Sequence, residues 1–167
     1  MSLTITALDN PKLLREINNA AAPDVNTLTE AKAEWLIAHV VTPGLALLDD
    51  QPAGVVVVLS DDCGYDSDYY RWFTERYANF LYIDRVIVAA SARGQGIARA
   101  LYAEIDWIAQ ERKLAIVADV YSDPPNVPSL ALHRAMGYQE VGSQDFRATG
   151  KVCAKLMKFG EYAKAKM

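Results

Sequence analysis

Two glycines, Gly94 and Gly96, lie between a segment typical of a β-strand and a segment typical of a helix. The strand is predicted over Phe80 to Val88, which is rich in β-branched and aromatic residues, and helical spacing of apolar residues begins at Ile97. The first N–H groups of a helix have no intrahelical partner, and the helix dipole places partial positive charge there. With no side chains at 94 and 96, a phosphate can approach these amides closely. The sequence therefore predicts a phosphate-bearing ligand at residues 93–98.

Glycine pairs also occur in ordinary turns and in other phosphate loops, and the ordinary turn stays open as an alternative. The dinucleotide fingerprint shares the order of strand, glycine loop and helix, and Asp119 lies about twenty residues on, where that fingerprint has an acid. However, Arg99 occupies the position of its third glycine, and a four-residue turn, Ala89 to Ala92, precedes Gly94. A P-loop is not indicated, because no Gly-Lys-Ser or Gly-Lys-Thr follows.

The elements that must position this loop follow one another as expected for one α/β or α+β domain, residues 1–167, with a mixed sheet. The predicted strands are Thr4–Leu8, Gly44–Leu48, Ala53–Ser60, Phe80–Val88, Leu114–Tyr121, a strand starting at Tyr138–Val141, and Lys151–Phe159. Two of the predicted helices start at Pro11 and Ile97, and three others cover Thr27–Val40, Asp68–Tyr77 and Ser129–Met136. The tail Glu161–Met167 is expected to fray or be helical.

Composition argues against nucleic-acid-binding, metal-binding and membrane-spanning classes of protein. The net charge of −4 argues against a nucleic-acid partner, which would need a basic face. Cys63, Cys153, His39 and His133 lack metal-ligand spacing, so no metal is expected, and free thiols fit a reducing cytoplasm. No signal-peptide pattern opens the chain, and the longest apolar run, Ala53 to Leu59, is too short for a bilayer. We expect a cytoplasmic protein without a membrane partner.

An aromatic and acidic stretch, residues 61–79, interrupts the alternation of strands and helices. One interpretation is a surface loop and short helix whose rings pack on the sheet. The other is a wall or lid over a substrate pocket, since long loops on a rigid scaffold often carry binding. Both can hold together.

Two spaced motifs closely resemble those of the GNAT acetyltransferase superfamily. Val86-x-Val88 followed by Arg93, Gly96 and Ala98 resembles its acetyl-CoA motif, which is Arg or Gln, two residues, Gly, one residue, and Gly or Ala. The segment from Asn126 to Gly137-Tyr138 looks like its second motif, in which an Asn precedes a helix ending in Gly-Phe or Gly-Tyr. The motifs cover residues 82–141, and the segment around Asn126 also resembles an uncharacterised subgroup of predicted acetyltransferases.

The resemblance implies a fold and a co-substrate. The fold would be a mixed, mostly antiparallel sheet of about seven strands with flanking helices, whose two central strands splay apart around acetyl-CoA. The co-substrate would be held by Val86, Ile87, Val88, Arg93, Gly94, Gln95, Gly96, Ile97, Ala98, Arg99, Asn126, Ser129 and His133. For Arg99 a solvated helix-end arginine, and for Asn126 a plain helix cap, remain alternatives.

The reaction implied is direct attack of an amine on the thioester. The Val88 N–H would polarise the carbonyl by family resemblance, and an acid would protonate the departing thiolate. The family's acid is a tyrosine at the position of His133, which as imidazolium can serve instead or can be structural. Tyr138, Tyr82 and Ser129 are alternative donors.

Asp84 and Asp119 are the candidate bases. An acid within an apolar strand needs a partner or a role, so Asp119 is preferred, with an ion pair to Arg85 or Arg112 as the alternative. The sequence thus predicts an acetyl-CoA-dependent N-acetyltransferase acting on a primary amine of a small molecule or peptide. A non-catalytic acyl-CoA-binding module and transfer to oxygen remain alternatives, and a homodimer is plausible.

Overall fold

The computed structural model describes residues 1–41, 43–160 and 164–166. The helices among them are α1 (Pro11–Ala20), α2 (Glu30–His39), α3 (Asp68–Thr74), α4 (Ile97–Arg112) and α5 (Val127–Ala135). The strands are β1 (Leu3–Thr6), β2 (Leu45–Leu48), β3 (Gln51–Ser60), β4 (Tyr77–Ala78), β5 (Phe80–Val88), β6 (Ala115–Asp123), β7 (Gln139–Phe146), β8 (Lys151–Lys158) and β9 (Lys164–Ala165).

The chain divides into two compact units. The first unit consists of Met1–Ser60 and Asp84–Ile108, and the second unit consists of Asp61–Ile83 and Ala109–Met167. Strand β5 belongs to both, since the division falls after Ile83. The expectation of a single domain stays a prediction.

In the first unit, β1, β2 and β3 form an antiparallel meander, and α1 and α2 pack on each other and on β3. The predicted β2–β3 hairpin is confirmed, with a tighter turn than expected. Asp49 and Asp50 both have positive φ, 48° and 62°, which suits a two-residue turn whose twist matches that of the strands. Because the turn needs only these two residues, Gln51 and Pro52 already belong to β3.

The helix starts of the first unit follow from capping. The Asn10 side chain accepts a hydrogen bond from the Leu13 N–H, and Pro11 occupies the first turn of α1, as predicted. The prediction that α2 begins at Thr27 is wrong. Thr29 has extended backbone and its hydroxyl accepts from the Lys32 N–H at 3.1 Å, so Thr29 is the cap and α2 begins at Glu30.

In the second unit, β5 and β6 run parallel and pair from Phe80 with Ala115 to Ile83 with Ala118. Strand β8 pairs antiparallel with β6 on one side and with β7 on the other. The seven-stranded order β1-β2-β3-β5-β6-β8-β7 confirms the mixed, mostly antiparallel sheet. Within the second unit, the parallel pairing of β5 with β6 covers these four positions of each strand.

The aromatic stretch packs inside the second unit, as one of its two interpretations predicted. Tyr70 and Phe73 of α3 are buried and meet the rings of Phe80 and Tyr82. Helix α3 ends at Thr74 rather than at Tyr77, because Tyr77 begins β4, which pairs with β9.

The prediction of a helical or frayed tail is therefore wrong at Lys164–Ala165, where the backbone completes a two-stranded ladder with β4. The rest of that predicted segment, residues 161–163 and 167, lies outside the described residues.

Candidate active site

The glycine loop of the first unit joins the end of β5 to the start of α4. A 3₁₀ turn, Ala90–Ala92, leads into Gly94 and Gly96, whose φ angles are 76° and 80°. Side chains rarely tolerate this conformation, so glycine is required by the backbone itself. A Cβ at either glycine would have no atom within 4 Å. The loop thus presents open space above its backbone, which is what a phosphate would need.

Helix α4 offers unpaired amides beside this space. Its first intrahelical hydrogen bond runs from the Ala100 N–H to the Gly96 carbonyl, at 3.1 Å. The N–H groups of residues 97–99 precede that bond and have no carbonyl four residues back within the helix. Arg93 and Arg99 are exposed at the same end. Positive side chains and a helix N-terminus together favour an anion.

Gly54 of β3 determines how closely β3 approaches this end of α4, and it was not predicted from the sequence. A Cβ there would lie 2.9 Å from the Ile87 carbonyl oxygen and 2.9 Å from the buried Ile97 side chain. Only glycine allows β3, β5 and α4 to approach so closely. A glycine within an apolar strand signals such an approach and could have indicated this position.

The residues of β5 that belong to the first unit include one candidate base. Asp84 pairs with Arg85 at 2.6 Å, and the Arg85 guanidinium also donates to the Asn18 side chain at 2.9 Å. The Asp84 side chain is 7% exposed. Val86 and Val88 are half-buried on either side of buried Ile87. Asp84 is thus tied to α1, which limits its freedom to take part in proton transfer.

The second candidate base belongs to the second unit and has two partners. Asp119 of β6 lies directly across the ladder from Lys155 of β8, and its carboxylate forms an ion pair with the Lys155 ammonium. Its other oxygen accepts from the Tyr82 hydroxyl at 2.8 Å. The ion pair foreseen for Asp119 was with Arg85 or Arg112, and that prediction is corrected to Lys155.

Lys155 is fully buried, at 0% exposure. Burial lowers the pKa of its ammonium from the ordinary lysine value, and the Asp119 carboxylate opposes that shift. Lysine is almost never buried unless it is paired, and here Asp119 is the partner. This ion pair was not predicted from the sequence.

Tyr69 of α3 and Tyr121 of β6 form a hydrogen-bonded pair of tyrosines. The hydroxyls of Tyr69 and Tyr121 are 2.8 Å apart, and the Tyr69 ring stacks on Phe146 at 4.4 Å. Burial, followed by the hydrogen bond to Tyr121, raises the pKa of Tyr69, so its hydroxyl stays protonated. Tyr69 comes from the aromatic stretch, which therefore contributes polar groups as well as packing.

The second motif forms a capped helix with a buried histidine. The Asn126 side chain accepts from the Ser129 N–H at 3.2 Å, so Asn126 is the cap of α5. His133 is 4% exposed, and its Nδ1 lies 2.7 Å from the Ser129 carbonyl oxygen, which can only accept. Nδ1 is therefore protonated. The Ser129 hydroxyl is 3.4 Å from the same nitrogen, and the Tyr138 ring meets the imidazole edge to face at 5.1 Å.

Burial lowers the pKa of His133 from its ordinary value of 6.5. The Ser129 carbonyl opposes this shift. The imidazolium form invoked from the sequence is therefore the minor form at neutral pH.

The described residues offer neither a cluster of metal ligands nor a membrane-spanning helix. No group of three His, Cys, Asp or Glu side chains in residues 1–41, 43–160 and 164–166 could hold a metal ion. No helix in that part of the chain is long and apolar enough to cross a membrane.

The sequence is similar to one known protein family over most of its length. Residues 12–138 match the family model described as "Acetyltransferase (GNAT) family". No curated protein matches the sequence.

Many solved structures share the fold, and three of them match over almost the whole chain. The ribosomal-protein-S18-alanine N-acetyltransferase from Escherichia coli is 14% identical, with 98% of this chain and 94% of that chain covered and a TM-score of 0.69. Naa50 from Arabidopsis thaliana, solved with the bisubstrate analogue CoA-Ac-MVNAL, is 15% identical, with coverage of 95% and 99% and a TM-score of 0.70. Ard1 from Thermoplasma volcanium is 13% identical, with coverage of 100% and 99% and a TM-score of 0.70.

Proposed function

The chain belongs to the acetyltransferase (GNAT) family, and on that premise we propose that it transfers the acetyl group of acetyl-CoA to a primary amine of a peptide or small molecule. The observation that carries the proposal is the glycine loop, where two glycines with positive φ leave open space beside the unpaired amides of α4. The Arabidopsis neighbour, solved with a CoA–peptide conjugate, supports a peptide amine as the first acceptor to test.

The residues present fit acetyl-CoA as co-substrate. The amides of residues 94–98 would hold the pyrophosphate, with Arg93 and Arg99 contributing charge. The backbone of Val86 and Val88 would pair with the pantetheine arm, and the Val88 N–H would polarise the thioester carbonyl. Asn126 and Ser129 are proposed to contact the arm in addition to their helix-cap bond.

Direct attack requires a neutral amine, and Asp119 is the proposed base, acting directly or through water. It is preferred over Asp84 because an acid within an apolar strand needs a role, although both carboxylates form ion pairs, Asp119 with Lys155 and Asp84 with Arg85. The amine nitrogen bonds to the acetyl carbon, the carbon–sulfur bond breaks, and the thiolate takes a proton from an acid. His133 is the proposed acid through its minor, imidazolium form, and Tyr138, Tyr82 and Ser129 are the alternatives.

A thiol-release assay over a panel of acceptors tests the proposal. The panel contains short peptides with free N-termini, small primary amines, and their N-blocked and hydroxyl counterparts. We expect free CoA to appear with the amines and not with the blocked forms, and mass spectrometry to locate the acetyl group on nitrogen.

Two results would contradict the proposal. Acetyl-CoA binding without release on any acceptor would support the alternative, a non-catalytic acyl-CoA-binding module. Release that depends on hydroxyl acceptors would indicate transfer to oxygen.

A further inference from the structure

Three neighbouring strands of the second unit place Asp119, Lys155 and Gly142 in one row. The register pairs Asp119 of β6 with Lys155 of β8, and Lys155 with Gly142 of β7. Side chains directly opposite each other in an antiparallel pair lie on the same face of the sheet. Gly142 leaves that face empty beside the lysine. A Cβ at Gly142 would lie 2.6 Å from the Trp72 ring, so the indole fills the space that a side chain would take.

Helix α3 covers the ammonium. The Lys155 Nζ donates to the Tyr69 carbonyl oxygen at 3.3 Å, and it lies 5.3, 5.5 and 5.1 Å from the ring centroids of Tyr69, Trp72 and Phe73. Aromatic faces attract a cation at such distances. The ammonium therefore has a carboxylate, a carbonyl and three rings around it, and the side chain is 0% exposed.

We propose that Lys155 is a positioning residue for the acetyl transfer, whose ammonium keeps the Asp119 carboxylate ionised and holds it against the Tyr82 hydroxyl. This inference rests on the proposed function, in which Asp119 is the base. Since the Lys155 side chain is fully buried, its proposed effect on the substrate is indirect and runs through Asp119.

The groups that face this pair decide what removal of the ammonium does. Tyr82 on β5 donates to Asp119, and Tyr69 on α3 and Cys153 on β8 interact electrostatically with the same carboxylate. Arg76, just after α3, acts on Lys155. Tyrosine and cysteine bring no positive charge, whereas Lys155 brings a cation into direct contact with the carboxylate. Without it, a carboxylate with 11% side-chain exposure takes up a proton at higher pH.

The pH dependence of thiol release tests this role. In Lys155→Met we expect the acid limb of the pH–rate profile to move to higher pH by about one to three units, the usual influence of an adjacent opposite charge. Lys155→Arg, which keeps the charge, should show a smaller shift. Lys151→Met, which removes an exposed lysine from the same strand, should leave the limb in place.

Asp119→Asn separates a positioning role from a structural one. If Lys155 acts through Asp119, adding Lys155→Met to Asp119→Asn produces no further change in the pH profile of the remaining activity. This double variant is uncharged at both positions, so it also guards against misfolding of the single variant. If Lys155→Met leaves the acid limb unchanged, or slows Asp119→Asn by the same factor as the wild type, the inference is overturned.

A titration without acceptor keeps this result distinct from the proposed function. Carbon-13 NMR of the Asp119 carboxyl, assigned by its loss in Asp119→Asn, should show the same upward movement of the titration midpoint in Lys155→Met. If the wild type releases no thiol, the proposed function fails, while this titration still decides whether Lys155 keeps Asp119 ionised. An unchanged midpoint would overturn the inference even where acetyl transfer is established.

Discussion

The two units hold their candidate residues in opposite ways. In the first unit the site is made of backbone, with Gly94 and Gly96 exposed, positive in φ and surrounded by open space. In the second unit it is made of side chains, and Asp119, Lys155 and His133 are largely or fully buried and hydrogen-bonded. A backbone site binds through groups that every residue carries, whereas a side-chain site depends on each partner being present. Substitutions in the first unit should therefore affect binding with at most a smaller loss of stability, whereas substitutions in the second unit should affect stability together with pH dependence.

The largest effect is expected from breaking the buried ion pair. Lys155→Met leaves the Asp119 carboxylate buried beside an apolar side chain, which costs about 3–5 kcal/mol of unfolding free energy. Urea denaturation at neutral pH measures this cost. The double variant Asp119→Asn/Lys155→Met should lose clearly less, since no charge is left uncompensated. A single-variant loss below about 1 kcal/mol would show that the pair carries little of the second unit's stability.

A smaller loss of stability is expected from Gly54→Ala in the first unit. The new methyl would lie 2.9 Å from the Ile87 carbonyl oxygen and from the Ile97 side chain. Such overpacking typically costs about 1–3 kcal/mol, and the displaced start of α4 should also weaken acetyl-CoA binding. Thermal unfolding and calorimetry measure the two effects.

Gly96→Ala is the matched control, because a Cβ there meets nothing within 4 Å. It should cost about 1 kcal/mol through backbone strain alone. Equal losses for the two variants would contradict the close approach at Gly54.

Removing a charge at the glycine loop should have a smaller effect than Gly54→Ala. Arg99→Ala removes an exposed cation near the proposed pyrophosphate, and we expect acetyl-CoA affinity to fall about 3- to 10-fold, which corresponds to about 1 kcal/mol. The difference should shrink in high salt. Arg112→Ala, exposed at the opposite end of the same helix, should leave affinity unchanged. Equal losses for both arginines would mean that charge acts over the whole helix rather than at the loop.

The smallest effect is expected from the protonation of His133. Its folded-state pKa is lowered by burial, so between that value and about 6.5 the unfolded chain binds the extra proton. Stability should therefore fall as pH falls below about 6.5, and this slope should be weaker in His133→Gln. His39→Gln, a change at an exposed histidine, is the control. Stability that rises as pH falls through this range would contradict a neutral, buried His133.

These differences also explain what the sequence could reveal. The strand Phe80–Val88 and the position of the two glycines between a strand and a helix were predicted correctly, and a cap at Asn126 was one of its two interpretations, because each signal is local. The Lys155 partner of Asp119 was not predicted. The two residues are 36 positions apart, and only the ladder register brings them together. The choice of Thr29 over Thr27 was missed because both are good caps and backbone geometry decides between them. The β4–β9 ladder was missed because two-residue strands carry no periodic pattern.

Calorimetric titration with acetyl-CoA tests the central claim most directly. We expect acetyl-CoA to bind to the wild-type protein and to bind more weakly to Gly96→Ala, while NAD should give no comparable binding. A wild-type protein that does not bind acetyl-CoA, or that binds NAD equally well, would contradict the account of the glycine loop.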